Sequence, residues 1–233
     1  IWELLATLGH TIVPAVPSLF TFNTKDPRIN NLMGIATPTE VAIVGTKLSA
    51  SGPLLITHWG MSGPGILRLS AWGARLLAEK KYQFSLQVNW IPDFDLATCV
   101  DYLKEIRTVH AKKIVANKAP FSIPNRLWEK LVHASGISVD QKWADINNPQ
   151  LQQLAQQLTQ SKFQINGKST FKEEFVTAGG IDLKEVNFKT MESKLLPNLY
   201  FAGEILNIDA ITGGFNFQNA WTGGFIIAEA INL

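Results

Sequence analysis

The hydrophobic pattern divides the chain into a strand-rich part, a helix-rich part and a mixed C-terminal part. Apolar or alternating runs bounded by Pro, Gly, Asn and Asp are typical of strands. Four such runs lie at residues 15–22, 40–44, 54–57 and 82–90. Between the last two, Gly63-Pro64 begins a segment with apolar residues at helical spacing. We expect a small mixed or barrel-like sheet with one helix inserted.

Residues 93–162 have a helical pattern instead. Apolar residues recur at helical spacing in three segments, of which the second begins at Pro124 and the third follows Pro149. Asn166-Gly167 is typical of a tight turn and predicts a hairpin over residues 163–172. The pattern therefore predicts a small helical subdomain followed by a returning hairpin.

The stretch 199–233 carries the clearest functional pattern. Residues 199–202 form an apolar run of the length of a buried strand, and Gly203 and Glu204 follow it. A carboxylate at a strand end, after a glycine that lets a ligand approach, suits recognition of a ribose or ribityl hydroxyl. Thr212-Gly213-Gly214 then precedes a predicted helix, whose N–H groups and dipole stabilise negative charge such as that on the edge of a reduced flavin.

The same pattern also describes an ordinary βα unit. In that interpretation Glu204 is a solvated loop carboxylate and the glycines serve only the turn. Spacing alone leaves both interpretations open.

A second candidate site surrounds His58. Ser62 and the N–H groups near Gly63 can hold a substrate oxyanion, with His58 as proton donor or acceptor near neutral pH. In the alternative interpretation Ser62 caps a helix and His58 is a satisfied polar residue. The catalytic residues are therefore unknown, with His58 and Ser62 as candidates. The four histidines show neither His-x-x-x-His nor His-Glu-x-x-His spacing, so no metal site is predicted.

Several blocks of sequence, in order, strongly resemble one flavoprotein family. The first contains the run Thr-His-Trp-Gly-Met-Ser-Gly-Pro, and the blocks lie at residues 55–70, 176–181, 190–194, 199–204 and 212–221. The family is the YhiN/BaiN type of NAD(P)/FAD-dependent oxidoreductase, which includes aminoacetone oxidase-like proteins. The resemblance covers nearly the whole chain, and it identifies a family better than a substrate.

The resemblance implies that the chain is part of a FAD-dependent oxidoreductase, which transfers hydride through flavin N5 to or from a small organic substrate. It implies FAD as cofactor and admits NAD(P)H as electron donor. The residues that it assigns to the cofactor are Gly203, Glu204, Thr212, Gly213, Gly214, Phe215, Asn216 and Phe217. The expected fold is α+β, with a barrel-like β subdomain, a small helical subdomain and the C-terminal strand-helix part of a Rossmann-like α/β FAD domain.

These expectations divide the chain into segments. Residues 1–10 are interpreted as the end of a helix from a missing N-terminal FAD-binding half, since residues 1–9 have a helical pattern without a preceding cap. Residues 11–172 form an inserted domain, divided at 11–92, 93–162 and 163–172, and residues 173–233 return to the FAD domain. The sequence lacks Gly-x-Gly-x-x-Gly, so we expect this chain alone to be incomplete and inactive. The alternative is a non-catalytic binding or structural fragment that holds no cofactor by itself.

Composition narrows the classes of partner. The 21 basic and 19 acidic residues give a net charge of +2 without a long run of one sign, so nucleic acid is not an expected partner. The single cysteine, Cys99, permits no intrachain disulfide and no Cys-rich metal site. No apolar segment reaches the ~18 residues of a transmembrane helix, and no secretory signal pattern is present. We therefore expect a cytoplasmic protein with a small-molecule substrate and neither metal nor membrane as partner.

Overall fold

The computed structural model describes residues 1–169 and 176–232. The strands in this part of the chain are β1 (Ile12–Ser18), β2 (Phe22–Asn23), β3 (Ala36–Ile43), β4 (Ser49–Ile56), β5 (Gly60–Ser62), β6 (Gln83–Asn89), β7 (Ser161–Asn166), β8 (Val176–Ile181), β9 (Val186–Asn187) and β10 (Glu192–Ser193). The α-helices are α1 (Trp2–Thr7), α2 (Pro64–Trp72), α3 (Ala74–Glu79), α4 (Leu96–Val109), α5 (Asn125–Ala134), α6 (Asn148–Thr159) and α7 (Phe215–Ile231). Short 3₁₀ helices lie at Trp143–Asp145, Leu183–Glu185 and Gly203–Ile205. The predicted α+β fold is confirmed.

The largest sheet in the described residues has six antiparallel strands in the order β2-β5-β4-β3-β6-β7. It is nearly closed, because Phe22 forms a bridge with Lys168 just beyond β7, and the Asn23 N–H donates to the Gly167 carbonyl at 2.9 Å. Alternate side chains of β3 and β7 are buried, as the period of two along a strand requires. The barrel-like sheet predicted from the alternating pattern is therefore confirmed.

The observed backbone differs from the sequence-based prediction in two places, at the hairpin expected over residues 163–172 and at the strand expected over residues 199–202. After Asn166 the chain continues toward β2, since Lys168 pairs with Phe22 across the barrel opening; the rest of the predicted hairpin, from residue 170, lies outside the described residues. The predicted strand at 199–202 is wrong: Tyr200 forms an isolated bridge with Glu192, and 3₁₀ structure begins at residue 203. An apolar run can be buried by core packing without a strand ladder, which explains the error.

The helical part has the predicted three helices, and local capping explains where they start. At α4 the Asp95 carboxylate accepts from the Thr98 N–H at 2.8 Å, and the Thr98 hydroxyl accepts from the Asp95 N–H at 3.0 Å. Asn147 and Gln150 form the same reciprocal cap at α6. Proline occupies the cap position of α5 and the first turn of α6. Helix α6 packs against both α4 and α5.

The chain forms two compact units. The barrel unit comprises Thr21–Leu69 and Lys81–Ser169, and contains the six-stranded sheet with helices α4 to α6. The terminal unit comprises Ile1–Phe20, Ser70–Lys80 and Thr170–Leu233. In its described part β1 pairs antiparallel with β8, β9 pairs with β10, and Leu5, Ile181, Phe201 and Leu206 belong to one buried core cluster.

A buried histidine connects distant parts of the terminal unit. His10 Nδ1 lies 2.9 Å from Glu185 Oε2, and the Ser193 hydroxyl lies 3.1 Å from His10 Nε2. The order Ser, His, carboxylate is also that of a hydrolase triad. Ser193 Oγ, however, already accepts from the N–H groups of Leu195 and Leu196, and Ser193 is 6% exposed. Both lone pairs and the proton of this hydroxyl are used in hydrogen bonds. Ser193 therefore has a structural role and is not a free nucleophile.

Candidate functional site

A cavity of about 370 Å³ lies in the terminal unit beside the start of α7. Seven of the eight residues assigned to a cofactor by resemblance line it, namely Gly203, Glu204, Thr212, Gly213, Gly214, Asn216 and Phe217. The eighth, Phe215, is 55% exposed and borders a neighbouring cavity with Trp72 and Asp209. The fold therefore brings most of these residues to one place.

Helix α7 begins at this cavity with its first turn uncapped by any described side chain. Gly214 is the N-cap residue and has φ 86°, a left-handed conformation that favours glycine. A Cβ at Gly214 would meet no described atom within 4 Å, and Gly213 and Gly214 are both exposed. The free N–H groups of the first turn and the positive end of the helix dipole suit a negatively charged ligand edge.

Asn216 holds the loop that leads into α7. Its Oδ1 accepts from the Ala210 N–H and its Nδ2 donates to the Ala210 carbonyl, both at 2.9 Å. Its amide is thereby used within the loop. Asn216 thus fixes the backbone that carries Thr212 and Gly213 along the cavity wall.

Glu204 is the carboxylate of the cavity. Its Oε1 accepts a hydrogen bond from the Thr177 backbone N–H at 2.6 Å, although the residue as a whole is exposed. Gly203 before it is buried, and a Cβ there would come within 3.3 Å of the Ala220 Cβ. Glycine therefore lets the 3₁₀ turn approach α7 closely. The carboxylate keeps further lone pairs for a ligand hydroxyl.

The apolar wall of the cavity could not be found by sequence reasoning. It includes Ile208 and Ile211 together with Leu19 and Val176, which lie far from them along the chain. Its one local signal is that Ile208 and Ile211 lie between two of the blocks that carry the family resemblance. Asp209 was also missed; its Oδ2 accepts from the Ser18 hydroxyl at 2.8 Å, which joins this loop to β1.

His58 and Ser62 are not brought together in one cavity. His58 is exposed and borders a polar cavity of about 230 Å³ in the barrel unit, together with Lys25 and Asp26. Ser62 pairs with Leu55 in the sheet and does not line that cavity. Partial burial raises the pKa of Asp26, but hydrogen bonds and charge from a neighbouring arginine outweigh burial and leave that pKa below its usual value.

In residues 1–169 and 176–232 no three His, Cys, Asp or Glu side chains gather as metal ligands would. Within the same ranges no helix has both the length and the apolar character needed to cross a bilayer.

Residues 16–176 match the HI0933-like protein barrel and H2TH domain. The chain belongs to the HI0933-like family. The HI0933-like region extends from within β1 to the first residue of β8, so it contains every strand of the barrel and helices α2 to α6.

Three relatives carry the names of enzymes. The ribosomal RNA dihydrouridine synthase of Escherichia coli (strain K12) is 31% identical over 232 residues, which cover 98% of this chain and 55% of that protein. The protein of the same name from Haemophilus influenzae is 28% identical over 99% of this chain and 55% of its own length. The 3-dehydro-bile acid delta(4,6)-reductase of Clostridium scindens is 27% identical over 98% and 56%. This HI0933-like chain thus spans about half the length of these relatives, and it is related to enzymes that include a reductase.

Proposed function

We propose that the chain is part of a FAD-dependent oxidoreductase of the YhiN/BaiN type. The observation that carries the proposal is the cavity at the uncapped start of α7, which Glu204 and the pair Gly213-Gly214 line together. The relatives support the reaction class, because a dihydrouridine synthase and a delta(4,6)-reductase both, by name, add hydrogen to a carbon–carbon double bond. When bound, a flavin supplies hydride transfer at N5.

The cavity residues fit the chemical groups of a flavin. Apolar side chains such as Leu19 and Ile211 suit a planar ring system and exclude water from its face. The first-turn N–H groups of α7 suit the ring edge that gains negative charge on reduction. Glu204, held by Thr177, suits a ribityl or ribose hydroxyl. The protein's part is thus to bind and orient the cofactor and to stabilise charge on it.

The proposal includes a partner half that supplies the remaining FAD contacts. Phe217, Trp221 and Phe225 follow one another at intervals of four along α7 and are 68%, 70% and 67% exposed. An apolar row of this size marks a surface that another part of a protein covers. In the proposed arrangement residues 1–10 and 173–233 belong with that half, and residues 11–172 form the domain inserted over the substrate.

The test is a FAD titration followed by absorbance near the usual ~450 nm flavin band. It compares this chain with an extended protein that also contains the proposed N-terminal FAD-binding half. Flavin bands in the extended protein, reduced by NAD(P)H, are the expected result. If neither protein binds flavin, the proposal fails and a non-catalytic binding fragment becomes the better description.

A further inference from the structure

The helical part of the barrel unit carries a local excess of positive charge. Between Glu105 and Glu129 the chain has no acidic residue, whereas it has five cations: Arg107, Lys112, Lys113, Lys118 and Arg126. The overall charge of +2 hides this excess because acidic residues lie elsewhere. The three lysines are exposed, and none of them forms an ion pair with any described residue.

The loop that carries these lysines, residues 110–118, has a fixed backbone. Its contacts with residues 141–144 are three hydrogen bonds of 3.0 Å and a β-bridge: Val115 N–H to Gln141 O, Trp143 N–H to Lys113 O, Ala144 N–H to Ala111 O, and Ile114 with Lys142. From α5, the buried Trp128 Nε1 donates to the Val115 carbonyl at 2.8 Å. A loop held in this way loses little conformational freedom when a ligand binds.

The lysine loop borders a cavity of about 700 Å³. Tyr102, Ile106 and Pro120 contribute ring and aliphatic surface to it, while His110, Asn117 and the three lysines contribute donors and charge. Asp140 and Asp145 flank the segment 141–144 that pairs with the loop, but neither lines the cavity. Cations around an apolar recess suit a single-stranded nucleic acid, with phosphates on the cations and an unstacked base against the recess.

We propose that the lysine loop binds RNA, with Lys112, Lys113 and Lys118 as phosphate contacts. The names of two relatives refer to ribosomal RNA, which favours RNA over other polyanions. The inference adds RNA, as a substrate class, to the proposed function, and in that respect it rests on the proposed function. Binding of RNA by the loop does not itself require flavin. The net charge of the chain led to the expectation that nucleic acid is not a partner. The proposal differs because phosphate groups interact with the charges close to them, and the charge around this loop is positive.

The test is fluorescence anisotropy of a labelled RNA hairpin with a uridine-containing loop, titrated with the 233-residue chain at several salt concentrations. The variant is Lys112→Gln/Lys113→Gln/Lys118→Gln. The charge-matched control replaces three exposed lysines elsewhere, Lys47→Gln/Lys184→Gln/Lys189→Gln. We expect the control to bind like the wild type. The loop variant should bind about tenfold more weakly at low salt, and its slope of log K against log salt should fall by about 2, from three contacts at ~0.7 each.

Equal weakening by both triple variants would overturn the proposal, because attraction would then follow net charge. Absence of RNA binding by the wild type would overturn it too. So would tighter loop-dependent binding to vesicles of anionic phospholipid than to the hairpin. If thermal unfolding shows that the triple variant is destabilised, Lys118→Gln alone must still lower the salt slope. FAD titration of the same triple variant in the extended protein separates the proposals, since flavin binding should be unchanged whichever way the RNA result falls.

Discussion

The Glu204 carboxylate and the Thr177 backbone N–H are joined by a hydrogen bond of 2.6 Å. A bond of this kind to an ionised acceptor is shorter and stronger than one between neutral groups. It connects the 3₁₀ turn Gly203–Ile205 to β8, which in turn pairs with β1. The hydrogen bond from Thr177 therefore fixes the orientation of the Glu204 carboxylate at the cavity. A surface carboxylate without such a bond would rotate freely.

Replacing Glu204 by alanine should weaken FAD binding in the flavin-binding form of the protein. Loss of a charge-assisted hydrogen bond costs about 1.5–3 kcal/mol, so the dissociation constant should rise about 10–150-fold in a fluorescence titration. Glu229→Ala removes the same charge from the exposed surface of α7 and should leave affinity unchanged. Unchanged affinity in Glu204→Ala itself would remove Glu204 from the site.

Gly60→Ala should destabilise the barrel far more than Gly34→Ala. Both residues have positive φ, 154° and 86°, so alanine is strained at either position, by about 1 kcal/mol. At Gly60 the new Cβ would also lie 2.0 Å from the Phe22 carbonyl oxygen, whereas at Gly34 it would meet no described atom within 4 Å. Urea denaturation should show a loss of about 3 kcal/mol or more for Gly60→Ala. Similar losses for the two variants would contradict the close approach of β2 and β5.

Glu185 should make stability depend on pH in the acid range. Burial raises its pKa, but hydrogen bonds from Thr11 and His10 outweigh burial and leave the pKa below the ordinary 4.5. The contribution of Glu185 to the free energy of unfolding is therefore complete above its ordinary pKa. It is lost as pH falls through the lowered pKa of the folded state. Urea denaturation between about pH 6 and pH 3 should show the wild type approaching Glu185→Gln in stability. A gap between the two proteins that stays constant with pH would show that the charge of Glu185 contributes nothing.

Cys99 should be unreactive in the folded protein. Burial, and to a smaller extent the negative charge of Asp95, raise the pKa of its thiol to about 12. Only about 10⁻⁴ of the thiol is then ionised at pH 8, and the thiolate is the reactive form. A disulfide-exchange reagent should label Cys99 slowly under native conditions and rapidly in denaturing urea. Rapid stoichiometric labelling of the native chain would show that the thiol is accessible.

The sequence predicted those features that depend on neighbouring residues. Alternation marked the barrel strands, and Pro124 and Pro149 marked helix starts, because both signals act within a few residues. Glu204 and Gly213 could be associated because they lie within one short stretch, whereas the bond from Thr177 to Glu204 depends on the placement of β8. The predicted strand at 199–202 failed for a related reason, since hydrophobicity reports burial and does not report the backbone partners that define a strand.

The division of the chain into units has a consequence for the order of folding during synthesis. The barrel unit is made of residues between Thr21 and Ser169, so all of it can leave the ribosome before α7 is translated. By contrast, Ile12 pairs with Ile181, so β1 must wait for β8 before its ladder can form. The cavity needs both Leu19 and α7. A nascent chain can thus acquire a finished barrel first, and it gains the cavity only after α7 has been translated.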